Sequence, residues 1–135
     1  MRIYKEFFFE AAHRLPSAPP GHPNARVHGH SFRVRVTIDG EPHLDTGVLV
    51  PFDDLEAAVS DARDALDHRF LNDVEGLAQP TLERIAVWLW DRLHNRLPGL
   101  AEIAVSRDSC NEGCVYTGPR GAGSGVGTWL GRSLD

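Results

Sequence analysis

Lysine, cysteine and long apolar runs are all scarce in this sequence. Lys5 is its only lysine, and 14 basic residues face 19 acidic ones, for a formal net charge of -5. A protein that binds a nucleic-acid backbone needs a concentrated basic face, so we expect no nucleic-acid partner. No apolar stretch approaches the length of a membrane-spanning helix, and we therefore expect no membrane partner.

Cysteine is limited to Cys110 and Cys114, which stand close together in the sequence. A disulfide framework of the kind found in small secreted domains needs more cysteines than this. The first residues do not resemble a secretory signal, because Lys5, Glu6 and Glu10 interrupt every apolar run. These features favour a reducing, cytoplasmic location.

The length of 135 residues, of which 41% are hydrophobic, suits one domain with its own core. No internal repeat interrupts the chain. We assign residues 1–118 to this domain and residues 119–135 to a C-terminal tail, whose Gly-rich composition is typical of a flexible segment. Trp129 and Leu130 indicate that the end of the tail docks on the domain.

Two strands are predicted in the N-terminal part of the chain. Residues 2–13 are rich in aromatic and other β-favouring side chains. The prolines and glycine of residues 14–27 exclude a regular element there. From His28 to Asp39 apolar and polar residues alternate, which is typical of a half-buried antiparallel strand.

Beyond Pro51 the apolar period becomes helical. It predicts one helix up to Leu66 and a second that starts near Leu82 and ends before Pro98. Residues 100–105 and 114–117 read as two further strands. The order ββααββ predicts an α+β domain, in which two helices cover one face of a four-stranded antiparallel sheet.

Three histidines are the first candidates for a functional site. His28 and His30 are two positions apart on a predicted strand and therefore leave the same face. A hairpin-like pairing would bring His13, at the end of the preceding strand, alongside them. Three imidazoles without a cysteine suit a divalent metal, most often zinc, with one coordination position left open. The spacing alone leaves the alternative that the His-x-His pair is ordinary surface polarity.

Five segments, in this order along the chain, closely resemble the 6-pyruvoyl-tetrahydropterin synthase and 6-carboxy-tetrahydropterin synthase family. They are FEAAHRLP (Phe9 to Pro16), GHPNARVHGHSF (Gly21 to Phe32), LDHRFLND (Leu66 to Asp73), QPTLERIAVWLW (Gln79 to Trp90) and SCNEGCVY (Ser109 to Tyr116). The resemblance implies the tunnelling fold, in which sheets of several subunits close into a barrel. It also implies a homo-oligomer, usually a hexamer made of two trimers, with active sites at subunit interfaces.

The resemblance further implies a reaction and the residues that perform it. His13, His28 and His30 become zinc ligands that hold the side-chain oxygens of 7,8-dihydroneopterin triphosphate. A cysteine thiolate moves the neighbouring protons, and an Asp–His pair, here Asp67 and His68, assists. The product is a 6-pyruvoyl or a 6-carboxy tetrahydropterin, the latter leading toward deazapurines such as queuosine. Without the resemblance, Asp67 would be read as a helix cap and His68 as a packing residue.

The first departure from the family lies in the loop before the HGH motif. Asn24 stands where the family carries its catalytic cysteine. An asparagine side chain cannot accept a proton at neutral pH and cannot replace a thiolate base. His22 is the only group in that part of the loop that titrates near neutral pH. Cys110 and Cys114 resemble family cysteines that are not the nucleophile.

The second departure concerns the contact with the pterin ring. The family uses a glutamate to hydrogen-bond the amino and ring N–H edge, and Asp108 occupies the matching position. Aspartate keeps the charge and both acceptor oxygens but loses one methylene of reach. A carboxylate that faces two N–H donors is a strong contact, so we expect ring binding in a shifted pose. The alternative is an aspartate that only caps the turn.

Three functions remain open at this stage. The chain is a zinc-dependent lyase of this family that uses a base other than cysteine, a pterin- or purine-binding paralogue without synthase turnover, or a zinc hydrolase on the same fold. Loss of a positioned base typically costs about a hundred- to ten-thousand-fold in rate, which makes normal synthase activity doubtful. A metal-bound hydroxide would need no cysteine.

Overall fold

The computed structural model describes residues 1–120. Its elements are β1 (Arg2–His13), β2 (His28–Asp39), α1 (Phe52–Leu66), β3 (Arg69–Phe70), α2 (Leu82–Leu93), β4 (Leu100–Arg107) and β5 (Glu112–Tyr116). The predicted α+β class and the order of its six main elements are confirmed. Most of the predicted tail, including Trp129 and Leu130, lies outside the described residues.

The strands form one sheet in the order β3-β1-β2-β4-β5. The four predicted strands are antiparallel to their neighbours. The structure adds β3, in which Arg69 and Phe70 pair in parallel with Ala11 and Ala12 of β1. A strand of two residues is too short to produce an alternating pattern, so its sequence carries no signal of it.

Both helices cover the same face of the sheet, as predicted. Alternate residues of β1, β2 and β4 point to this face and form the core with the helices. Phe9 and Phe32 stack there with ring centroids 4.8 Å apart and are fully buried. Burial of each such ring contributes about 1.5–3 kcal/mol to folding. The opposite face carries mostly charged and polar side chains.

The end of α1 and the start of α2 determine where Asp67 and Pro80 lie. α1 begins after Pro51 with Asp53 and Asp54 in its first turn, where acidic side chains favour the helix dipole. α2 is capped by Thr81, whose hydroxyl accepts the Arg84 backbone N–H at 3.2 Å. Asp67 therefore follows the end of α1, and Pro80 precedes the α2 cap. Among the described residues, neither helix has the length and apolar character to cross a membrane.

Candidate functional site

His13, His28 and His30 converge at the end of the β1–β2 hairpin. The strand register places His13 directly opposite His28, and His30 follows on the same face of β2. The ring centroid of His13 lies 4.6 Å from that of His28 and 5.1 Å from that of His30. One nitrogen from each ring lies within 4.8 Å of the other two. The structure thus brings together the three residues that the sequence singles out, in a group that can hold a metal ion.

Hydrogen bonds fix which nitrogen of two rings is free. His13 Nδ1 lies 2.9 Å from the Pro80 carbonyl oxygen, and His28 Nδ1 lies 2.7 Å from that of Arg26. A carbonyl only accepts, so each Nδ1 carries the proton and each Nε2 keeps a lone pair. Both Nε2 atoms are buried and have no hydrogen-bond partner within residues 1–120. An unsatisfied buried acceptor costs about 1–3 kcal/mol, a cost that a bound metal would remove.

The environment keeps two of the rings neutral. Burial lowers the pKa of His13 to about 4, against the raising effect of the Pro80 carbonyl and with further lowering by His28, His30 and Arg107. The pKa of His30 is also lowered, first by burial and then by Arg107. Metal binding to these rings at neutral pH therefore displaces no proton.

The donor set fits zinc. Three imidazoles from rigid strands, two of them oriented through their second nitrogen by a backbone carbonyl, match the ligands of zinc sites with an open position. His13 is only 1% exposed, so its ring has little freedom to move. We conclude that these residues could hold a zinc ion.

Arg107 and Glu112 border the histidine cluster, and no sequence motif led to them. Arg107 ends β4 opposite Glu112 of β5, and its guanidinium contacts the Glu112 carboxylate. Its NH1 lies 3.5 Å from His30 Nε2. The two-residue period places Arg107 on the face of β4 that carries Ile103 and Val105 in the core, but it does not indicate the contact with His30.

Asp67 and His68 form the predicted pair at the end of α1. Asp67 Oδ2 lies 3.0 Å from His68 Nδ1, and Asp67 Oδ1 accepts the Glu10 backbone N–H at 2.9 Å. The pKa of Asp67 is lowered, first by that N–H and then, against some burial, by His68. His68 has a left-handed backbone, with φ of 59°, and a side chain that is 79% exposed. Asp67 thus holds one ring nitrogen of an imidazole that is otherwise accessible to solvent.

An open groove of about 570 Å³ lies along the end of β1 and β2. Both His30 and His68 line it, so the edge of the histidine cluster and the Asp–His pair share one surface. Glu10 and Ser31 also line the groove, and the Ser31 hydroxyl donates to the Glu10 carboxylate at 2.7 Å. This arrangement offers polar contacts to a ligand lying beside the cluster.

The loop that carries Asn24 is fixed by its own backbone. Asn24 lies in a single 3-10 turn, Pro23–Ala25, and its carbonyl accepts the Leu15 N–H at 2.8 Å. Its own N–H donates to His22 Nδ1 at 3.0 Å. His22 therefore uses one ring nitrogen as the cap of this turn, which is a structural role.

Asp108 is held by an arginine of its own chain. It begins the 3-10 turn Asp108–Cys110, and its Oδ1 accepts from Nε and NH2 of Arg33 at 3.2 and 3.0 Å. Arg33 also contacts Glu6, with 3.2 Å between NH1 and the carboxylate. This chain of charges lies on the sheet face opposite the helices, whereas the histidine rings point to the helix face. The contact between Asp108 and a pterin ring stays a prediction.

Both cysteines are free thiols, Cys110 exposed and Cys114 half-buried. Burial raises the pKa of the Cys114 thiol, and the Glu83 carboxylate raises it further. A raised pKa keeps this thiol protonated at neutral pH.

Known proteins resemble this chain over nearly the whole described region. The family model for 6-pyruvoyl tetrahydropterin synthase matches residues 2–119. A 6-carboxy-5,6,7,8-tetrahydropterin synthase of Synechocystis sp. is 40% identical, over 87% of this chain and 94% of that protein. A dihydroneopterin monophosphate aldolase of Pyrococcus furiosus is 33% identical, over 83% of this chain and 90% of that protein.

A solved structure supports the fold independently. The 6-pyruvoyl tetrahydropterin synthase of Caenorhabditis elegans superposes with a TM-score of 0.79 at 24% identity, over 88% of this chain and 96% of that one. At this identity the likeness concerns the fold alone. Taken with the matched family model and the sequence relatives, it shows that the chain belongs to the 6-pyruvoyl tetrahydropterin synthase family.

Proposed function

We propose that this chain is a zinc-dependent lyase that cleaves a carbon–carbon bond in the side chain of a phosphorylated dihydroneopterin. The observation that carries the proposal is the histidine cluster, in which buried Nε2 atoms of His13 and His28 have no partner among the described residues. Zinc bound there would polarise the side-chain oxygens of the pterin. The names of the relatives support a pterin as the substrate.

His68 is the group that moves the proton in this proposal. Its Nδ1 is committed to Asp67 at 3.0 Å, so its Nε2 is the nitrogen that can take a proton from a substrate hydroxyl. The ionised Asp67 stabilises the imidazolium that forms. The high exposure of His68 leaves this nitrogen accessible to a ligand or to a neighbouring subunit.

The loss of the cysteine favours carbon–carbon cleavage over the synthase reactions. Asn24 cannot act as a base, His22 caps its own turn, and the Cys114 thiol is protonated. Aldol-type cleavage removes a hydroxyl proton, breaks the adjacent carbon–carbon bond so that the fragment leaves as an aldehyde, and returns a proton to the carbon that stays on the pterin. One acid–base group can do both transfers. The name of the Pyrococcus furiosus relative, an aldolase, supports this choice.

A homo-oligomer, most suitably a hexamer of two trimers, is part of the proposal. β5 lies at one edge of the sheet and the two-residue β3 at the other, and unpaired edges favour association with a further strand. Light scattering of the purified protein measures the assembly, and a monomer would contradict this part.

The test is an incubation of zinc-loaded protein with 7,8-dihydroneopterin triphosphate or the monophosphate, with products identified by mass spectrometry. We expect a shortened pterin and the released carbon fragment, both abolished in the His28→Ala, His30→Ala double variant. His94→Ala is the matched control, because His94 is an exposed residue at the end of α2. Unchanged substrate that nevertheless binds would overturn the lyase and support a binding protein. A hydrolysed phosphate with an intact side chain would support a zinc hydrolase.

A further inference from the structure

We propose that Arg107 is a ligand-binding residue of the metal centre, which selects ligands that present an anionic oxygen to the metal's open position. This inference rests on the proposed zinc site and assigns a role to a residue outside the three ligands. Its starting point is the 3.5 Å separation between Arg107 NH1 and His30 Nε2. The guanidinium therefore borders the nitrogen that faces the metal.

The position of Arg107 is fixed and largely closed to solvent. Its side chain is only 16% exposed, although arginine usually lies at the surface. Its NH2 contacts the Glu112 carboxylate across the β4–β5 ladder. Its Nε is buried without a hydrogen-bond partner among the described residues. A buried guanidinium with an unused donor beside three imidazoles indicates a site that a ligand completes.

Metal binding changes what Arg107 can contact. His30 Nε2 has one lone pair, and a metal would take it, so NH1 would lose its present acceptor. Arginine has only donors, and a cation beside a divalent metal is unfavourable without an intervening negative charge. An anionic oxygen on the metal meets both requirements, because it accepts the N–H and separates the two positive charges.

Glu112 holds Arg107 for this task. One carboxylate opposite the guanidinium orients it and compensates part of its charge. Glu112 is half exposed, with 51% of its side chain accessible, while the arginine is not. The pair thus presents its cationic end to the cluster and its anionic end toward solvent. Ligands that bear a carboxylate, an alkoxide or a phosphate oxygen fit this end, and a ligand without an acceptor oxygen, such as imidazole, gains nothing from it.

The competing explanation is a cross-strand ion pair that only stabilises the β4–β5 hairpin. The two explanations differ in the effect of Arg107→Gln. Loss of a structural contact loosens the site and weakens every ligand and the metal together. Loss of an oxyanion contact weakens anions alone, and metal affinity stays the same or rises because a positive charge has gone.

The experiment uses cobalt(II)-substituted protein, whose visible spectrum reports both metal loading and ligand binding. Wild type, Arg107→Gln, Arg107→Lys and the control Arg2→Gln are titrated first with cobalt and then with acetate or with neutral imidazole. We expect Arg107→Gln to weaken acetate binding about tenfold or more, with imidazole and cobalt affinity undiminished. Arg107→Lys should restore part of the acetate affinity, and Arg2→Gln, at the far end of β1, should change nothing.

Each result decides the proposal. Equal acetate affinity in wild type and Arg107→Gln overturns it, and so does a parallel loss of acetate, imidazole and cobalt binding, which shows a structural role. The undiminished imidazole and cobalt affinities serve as the check that the variant is folded. If wild type binds no cobalt, the zinc site itself is wrong and the role of Arg107 falls with it. Normal cobalt binding with unchanged acetate affinity overturns the role of Arg107 alone.

Discussion

The histidine cluster and the Asp67–His68 pair are built from opposite kinds of structure. The cluster lies on two paired strands, where strand register fixes the rings and burial keeps His13 neutral. The pair lies at the junction of α1 and β3, on a residue with a left-handed backbone and a side chain open to solvent. The part that would hold a metal is complete in one chain, whereas the part that would move protons is anchored on one side only. We therefore expect metal binding and proton transfer to fail separately.

The largest effect is expected when the cluster itself is broken. The His28→Ala, His30→Ala double variant removes two of three ligands and should lose zinc entirely, since one imidazole does not hold a catalytic zinc. Metal analysis after purification without chelator measures this, with about one zinc per chain expected for wild type. Full zinc occupancy in the double variant would show that the metal lies elsewhere.

The next effect separates the pair from the cluster. His68→Ala should leave zinc content unchanged while product formation falls about a hundred- to ten-thousand-fold, as expected for loss of a general base. Steady-state rates and metal analysis on the same sample measure both. Product formation by Asp67→Asn should also fall, because this variant loses the anion that stabilises the imidazolium. Loss of zinc in His68→Ala would show that metal binding and proton transfer do not fail separately.

Acid should destabilise the folded protein when no metal is bound to the histidine cluster. In the unfolded chain His13 titrates near its ordinary pKa of about 6.5, but in the folded chain burial lowers its pKa to about 4. The unfolded state therefore binds more protons between these values, and the free energy of unfolding falls as the pH drops from 6.5 toward 4. The loss is about 3 kcal/mol and is absent above pH 6.5.

Denaturant unfolding of chelator-treated protein at fixed concentration, at pH 7.5 and pH 4.5, measures this loss. His13→Phe should show a flatter pH dependence than wild type in this window, since phenylalanine does not titrate. His94→Ala, at the exposed C-cap of α2, should keep the wild-type slope. An unchanged slope in His13→Phe would assign the acid sensitivity to another group.

The smallest effect is expected at Asp108, the residue predicted to contact the pterin ring. Asp108→Ala should weaken pterin binding about ten- to a hundredfold, as expected for loss of charge-assisted hydrogen bonds. Asp108→Glu should keep or improve the affinity, because it restores the longer side chain. Fluorescence titration measures both variants. Equal affinity in Asp108→Ala would show that Arg33 alone uses this carboxylate, through the 3.0 Å contact.

Much of the fold and the convergence of the three histidines could be predicted from the sequence. The alternation of β2 and the helical periods of α1 and α2 reflect burial on one face, which sequence patterns record directly. The pairing of His13 with His28 followed from a hairpin, which is a local contact. In contrast, β3 has two residues and joins a strand distant in sequence, so neither period nor turn signals it.

The remaining site residues depend on contacts that patterns do not record. Arg107 reaches His30 only because β4 pairs with β2 in one register. The bond from Asp67 to the Glu10 backbone joins residues far apart in sequence. The Arg33–Asp108 contact likewise joins residues that are far apart in sequence. Each is set by the tertiary structure, and the sequence alone gives only the residue types.

The most direct measurement compares wild type with Asn24→Cys, both zinc-loaded, on 7,8-dihydroneopterin triphosphate, with products resolved by mass spectrometry. If one acid–base group suffices, wild type forms the shortened pterin, and Asn24→Cys adds a 6-carboxy or 6-pyruvoyl product because a second base is now present. If wild type binds the substrate without changing it and only Asn24→Cys gives a product, the native chain is a pterin-binding protein and the proposed lyase is wrong.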